Sequence, residues 1–311
     1  MNYTETYVKF FLLRNHLTEC VNPEDIEKDV YKDDRISAII EELQDWPCYE
    51  IKSHKNVGHP LHKLSFLAEL GFNKDDKGIQ AIINKILANQ SEEGPFQVLI
   101  NIPVRFGGTG QPLNSWVLSD APVLMYALIK LNKSEITDPI RKGLDHIAKI
   151  VSTNGWHCLA SENLGKFRGP GRKEDPCPYA TMFALKMLSL TDRDEYKSEK
   201  SIGINTILDL WDRRREVKPY LFGMGTDFKK LKLPFVWYDI LNVIDTLSRF
   251  EQVLKEPRFL ELWEIICSKM AEEGYIPESI YLKSKPWDFG QKKIPSQYMN
   301  AVIQRIEQRI K

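Results

Sequence analysis

The sequence predicts an all-α protein built from about six helical hairpins, with an inner ring of apolar helices and an outer ring of amphipathic ones. Three observations carry that reading. A proline followed by an apolar helical pattern recurs at Pro60, Pro122, Pro176, Pro234 and Pro295, roughly sixty residues apart. Amphipathic stretches alternate with these segments and close on a glycine turn followed by an aromatic residue: SEEGPF ending at Phe96, STNGW at Trp156 and AEEGY at Tyr275. Strand signals are thin, with 98–106 as the one short extended excursion.

Taken in order, the apolar helices are predicted over 4–17, 60–70, 121–132, 176–190, 235–250 and 296–310. All but the first follow or contain a proline, which suits the first helical turn because its missing N–H would lack an intrahelical partner there. The amphipathic helices fall over 36–45, 77–89, 138–151, 200–214 and 257–272. Asp138-Pro139 and Glu256-Pro257 open two of these, an acidic residue before proline being a reasonable start signal. The copy near Tyr220, RREVKPYLFG, is degenerate. Six apolar helices inside amphipathic ones describe a closed α/α barrel spanning 1–311 as one domain. A HEAT-type stack repeats nearer forty residues, so the period favours the barrel.

The chain of 311 residues carries 43 basic and 43 acidic side chains and 42% hydrophobic residues. That balance fits a soluble globular protein and argues against a dedicated nucleic-acid binder. The apolar run 121–129 is far short of the roughly twenty residues a spanning helix needs, so no transmembrane segment is expected. Five scattered cysteines do not suggest a disulfide framework. With no signal-peptide pattern in MNYTETYVKFFLLRNHL, a reducing cytoplasm is the expected location.

The glycine turns QSEEGPF, STNGWHC and AEEGYIPES resemble the repeat of the terpenoid cyclase/protein prenyltransferase α/α-toroid superfamily, over essentially the whole chain. The blocks GKFRGPGRKEDPCPYAT, KPYLFGMGTDFKKLKLPFVWYDIL and KPWDFGQKKIPS look like those of prokaryotic toroid proteins of unassigned activity. The chain has neither the Asp-x-Asp-Asp motif of squalene-type cyclases nor the Asp-Asp-x-x-Asp magnesium motif of class I terpene synthases. Prenyltransferases hold zinc with Asp-x-Cys on one inner helix and a histidine on the next. The resemblance therefore points to Asp175 and Cys177 as catalytic and metal-binding candidates, with Asp239 in the histidine's place, and to zinc as the cofactor to test. Thiolate plus carboxylate is sensible zinc ligation, Asp being the harder donor.

Asp120 stands just ahead of a helix-opening proline, as Asp175 does, and His59 holds the same place one repeat earlier. In a toroid, His59, Asp120, Asp175 and Asp239 would face a common funnel and could do acid–base work. Helix capping explains Asp120 and Asp175 equally well. Asp239 lies within the expected apolar helix FVWYDILNVI and would need a partner there.

Segments 157–174, 219–233 and 275–294 hold eleven Lys/Arg against five acids. Such a basic rim, including Arg168, Arg172 and Lys173, suits an anionic ligand such as a diphosphate head. Trp116, Tyr179, Trp237 and Tyr238 are candidate aromatic lining for an apolar body, though aromatics at helical spacing are more often core.

The expected function is binding of an isoprenoid-like apolar ligand with an anionic head in a central cavity, with transferase or lyase activity as the enzymatic version. The alternatives are a non-catalytic toroid docking a protein or anionic partner through its basic face, and a glycan-active α/α barrel using Asp120 and Asp175.

Overall fold

The computed structural model describes residues 3–18, 22–51, 54, 56–167, 171, 172 and 174–311. It is predominantly helical. Twelve α-helices occur among the described residues: α1 (Thr6–Arg14), α2 (Pro23–Asp29), α3 (Asp34–Leu43), α4 (Pro60–Leu70), α5 (Ile79–Leu87), α6 (Ala121–Leu131), α7 (Asp138–Lys149), α8 (Pro178–Leu188), α9 (Lys197–Asp212), α10 (Ile240–Leu247), α11 (Pro257–Cys267) and α12 (Gln297–Ile310). Eleven lie where the periodicity expects them. The addition is α2, whose short polar sequence PEDIEKD buries no residue and carries no apolar stripe to reveal it. No helix is long and apolar enough to cross a membrane.

The helices divide by burial as the pattern requires. In α6 every residue but Lys130 is buried, and in α8 and α10 every residue is. Only one stripe is buried in α3, α5, α7 and α11, as Ile79, Ile82, Ile83 and Ile86 illustrate in α5. Consecutive core helices are neighbours: α1 packs on α4, α4 on α6, α6 on α8 and α8 on α10, while α12 packs back on α1. Within this core, each fully buried Leu, Ile or Phe contributes about 1.5–3 kcal/mol relative to an exposed position.

The glycine turns are one device used three times. Gly94, Gly155 and Gly274 have φ of 125°, 108° and 128°, a region only glycine occupies without strain. Each also presses on a neighbouring helix. A Cβ on Gly94 would lie 2.6 Å from Lys142 O of α7, and one on Gly274 would meet Asn300 of α12. The aromatic residue that follows, Phe96, Trp156 or Tyr275, is then buried. Two small strand pairs occur among the described residues. Val98–Ile100 pairs antiparallel with Leu113–Ser115, and Met270–Ala271 with Gly274–Tyr275.

One helix boundary corrects the sequence expectation. Instead of running over 235–250, α10 begins at Ile240, and Asp239 is its N-cap, accepting a hydrogen bond from Asn242 N at 3.0 Å. An Asp that can hold the amide three residues on favours starting a helix over continuing one. The stretch from Pro234 to Tyr238 is therefore irregular, and its aromatic side chains are free to pack at the helix entrance.

Candidate functional site

A cleft of about 690 Å³ opens between α3, α4 and the segment 282–289. Its apolar surface comes from Ile39, Val57, Phe66, Leu282, Trp287 and Phe289. Trp287 stacks parallel on Phe289 with centroids 5.9 Å apart and meets Phe66 edge-on at 4.9 Å, so the wall is a packed aromatic sheet. The polar rim is basic. Lys63 is neutralised by an ion pair with Glu42, whereas Lys283 and Lys285 are exposed and carry no ion pair with a described residue. Both belong to one of the basic segments singled out in the sequence. Of the other rim candidates, Arg172 is exposed and joined to Asp175 through its own backbone N–H at 3.3 Å. Arg168 and Lys173 lie outside the described residues.

A stripe along α4 leads inward from the cleft. His62, Ser65, Phe66 and Glu69 follow the i, i+3, i+4, i+7 spacing of one helix face. All four line a second void of about 10 Å³, together with Pro234, Phe235 and Tyr298. His62 and Phe66 belong to both spaces. His62 Nε2 donates to His54 O at 2.8 Å, while its Nδ1 is buried without a partner in the described structure. Burial lowers its pKa to about 4, so the ring is neutral and Nδ1 is a bare acceptor.

His54 itself forms a short histidine–carboxylate pair, with Nδ1 2.7 Å from Asp120 Oδ1. Burial works against its imidazolium, but the Asp120 charge and hydrogen bond outweigh it and raise the pKa. Ser119 Oγ lies 3.4 and 3.3 Å from the two ring nitrogens. Being nearly equidistant, it sits over the ring rather than in line with either N–H, so the trio is no nucleophilic triad. Asp120 is thus a histidine partner and not a helix cap, since its side chain makes no capping bond to α6. Asp175 does not cap either; the N-cap position of α8 is Cys177. Asp120 and Asp175 hold separate partners, His54 and the Arg172 amide. His59 is fully used by the fold, with Nδ1 accepting from Leu61 N and Nε2 donating to Tyr49 O.

Three of the four aromatic candidates come together. Tyr179 packs on Trp237 at 5.4 Å, and Phe222 joins Tyr179, Trp237 and Tyr238 at 5.9, 5.0 and 5.7 Å. Trp116 does not join these contacts; its indole donates to Glu93 and its ring meets His146 edge-on. Beside the cluster, Asp239 has one oxygen capping α10 and the other buried without a partner among the described residues, and burial pushes its pKa up to about 7. Cys177 is buried and its thiol is pushed up to about 12, a packed protonated sulfur. Among the described residues no three His, Cys, Asp or Glu side chains are grouped as a metal ion needs, and Asp175, Cys177 and Asp239 do not form such a set.

The inner ends of the core helices hold a buried charge cluster that the sequence reading missed. Asp245 of α10 meets Lys186 Nζ at 2.9 Å and Arg249, Arg305 and Arg309 each at 3.0 Å. Glu69 of α4 meets Arg305 at 2.8 Å and Lys186 at 3.1 Å, and accepts from Tyr126 OH at 2.7 Å. Burial alone would raise both carboxyls, but the surrounding cations hold them well below the usual range. The cations divide: burial lowers Lys130 to about 7, Arg309 to about 10 and Lys186 as well, whereas Asp245 and Glu69 outweigh burial and raise Arg249 and Arg305. A readable signal existed: Lys130, Lys186 and Asp245 are each the single charged residue, late in the otherwise apolar helices α6, α8 and α10.

No protein-family model matches the chain, and no curated protein sequence matches it.

Proposed function

We propose that the core helices close into an α/α toroid of the terpenoid cyclase/protein prenyltransferase type, and that the protein binds an elongated, mostly apolar molecule with an anionic head, an isoprenoid phosphate being the best fit. The cleft carries this reading, because it places Lys283 and Lys285, neither with an ion pair to a described residue, at the edge of a wall formed by Phe66, Trp287 and Phe289. A concave, aromatic-lined space with a few convergent polar groups is the usual form of a small-molecule site. Ring closure is supported by the chain of neighbouring helices and by the Asp245 pairs with Arg305 and Arg309, which join α10 to α12. The ligand enters beside α4, where the cleft opens. Dodecyl phosphate quenches Trp287 fluorescence on this account, and Lys283→Ala with Lys285→Ala weakens binding about ten-fold through loss of charge-assisted contacts. Absence of saturable quenching in the unmodified protein refutes it.

The His54–Asp120 pair favours a second, enzymatic reading. A carboxylate-oriented imidazole, bonded through its backbone to a histidine that lines the cleft, is suited to general acid–base work in a lyase- or transferase-type reaction. Turnover of a bound isoprenoid phosphate that is lost in His54→Gln supports it, whereas equal turnover in that variant removes it.

A further inference from the structure

Beyond the cleft, whose edge takes Leu282, Lys283 and Lys285, the segment 282–294 continues as an exposed rim. Leu282 is 77% exposed and Ile294 64%, far above what an apolar side chain gains from packing. Between them stand four exposed lysines, Lys283, Lys285, Lys292 and Lys293, none with an ion pair to a described residue. The acids of this region face elsewhere. Asp288 is taken up by Tyr7 OH, Ser296 Oγ and Tyr298 N, and Glu278 by Lys269 and Leu231 N. The result is a locally unbalanced positive strip with apolar points at either end.

The strip is held rigidly. A turn over Leu282–Ser284 meets a second over Asp288–Gly290, and a Cβ on Gly290 would fall 1.9 Å from Ser284 O, so only glycine allows that contact. Gln291 then clamps the next residues, its Oε1 accepting from Lys293 N at 2.6 Å and Ile294 N at 3.0 Å and its Nε2 donating to Ile294 O at 2.8 Å. Rigid presentation of apolar side chains beside lysines matches the two attractions of a peripheral membrane contact, insertion at the headgroup boundary and pull from negative lipid charge.

We infer that the rim 282–294 seats the protein on an anionic lipid surface, with Leu282 and Ile294 entering the headgroup layer and Lys283, Lys285, Lys292 and Lys293 facing its charge. The cleft, which shares Lys283 and Lys285 with this rim, would then open at the membrane.

The test is flotation of the full chain with vesicles of phosphatidylcholine alone or containing roughly 30 mol% phosphatidylserine. Binding is expected only with phosphatidylserine and weakens with salt. Lys292→Gln with Lys293→Gln lowers it about twenty-five-fold, at about five-fold per lysine. Ile294→Ser weakens it with no change in salt dependence. All three positions are exposed, so these variants fold, and their unchanged dodecyl phosphate affinity separates the rim from the cleft. Rim binding that persists in a protein unable to bind dodecyl phosphate supports this inference while the ligand proposal fails. Failure of the unmodified protein to float, or equal flotation of the lysine variant, overturns the inference. Equal loss of binding to soluble polyglutamate and to vesicles also overturns it, by making the strip a general acidic-polymer contact.

Discussion

Asp245→Asn tests the buried charge cluster, and its expected cost follows from the contacts. One carboxylate on α10 meets four cations within 3.0 Å, from α8, from the residues after α10 and from α12. Removing its charge leaves Glu69 alone among Lys130, Lys186, Arg249, Arg305 and Arg309. Uncovering buried charge in this way costs about 3–5 kcal/mol. Lys186→Met is the informative contrast. It removes a fully buried cation from a cluster already rich in them, and both carboxylates keep partners, Glu69 through Arg305 and Tyr126 and Asp245 through three arginines. Removing one buried ion is costly when it strands its partner, and here no carboxylate is stranded while crowding among the cations is relieved, so the cost stays within about 1 kcal/mol. In urea unfolding at pH 7, followed by circular dichroism, Asp245→Asn lowers the midpoint by about 1–2 M while Lys186→Met leaves it almost in place. If Lys186→Met is the more damaging, the cluster is not held by its carboxylates and the reasoning fails.

Three further predictions concern the other end of the core helices. Asp239 has a folded pKa near 7 against an ordinary 3.8, so its native state holds the extra proton and stability falls as pH rises between those values; Asp239→Asn, which keeps a capping side chain, flattens that fall by on the order of 3 kcal/mol when chemical denaturation at pH 5 and pH 8 is compared. For His54, whose pKa is raised, the stabilisation is fully present below its unfolded value and is lost as pH rises through the folded one; in Asp120→Asn the His54 ring, followed by NMR, titrates at lower pH. A thiol reagent modifies exposed Cys267 in the native protein and reaches buried Cys177 only on unfolding, and Cys177→Ser leaves dodecyl phosphate affinity unchanged.

Much of the fold is legible in the sequence, because its repeat is physical. Proline at helix starts, glycine at turns and all-round apolar helices each enforce local structure that packing then uses. α2 escapes because a short polar helix has no stripe to read, and α10 starts late because the capping carboxylate of Asp239 overrides the apolar run around it. The candidate site is less legible. Lys283 and Lys285 are visible as part of a basic segment, but nothing local places them beside Phe66, more than two hundred residues away in the chain. Asp120 reads as a cap until His54, from a distant loop, is seen to hold it. Lone charges in apolar helices are the missed sign, since burying them demands the partners found around Asp245 and Glu69.

The central claim is that the cleft recognises an apolar chain and an anionic head together. Calorimetric titration with dodecyl phosphate, dodecanol and inorganic phosphate tests it most directly. The account predicts tight one-to-one binding of dodecyl phosphate only, with loss of affinity in the Lys283→Ala, Lys285→Ala protein. Equal affinity for dodecanol, or no heat from any of the three, would contradict it.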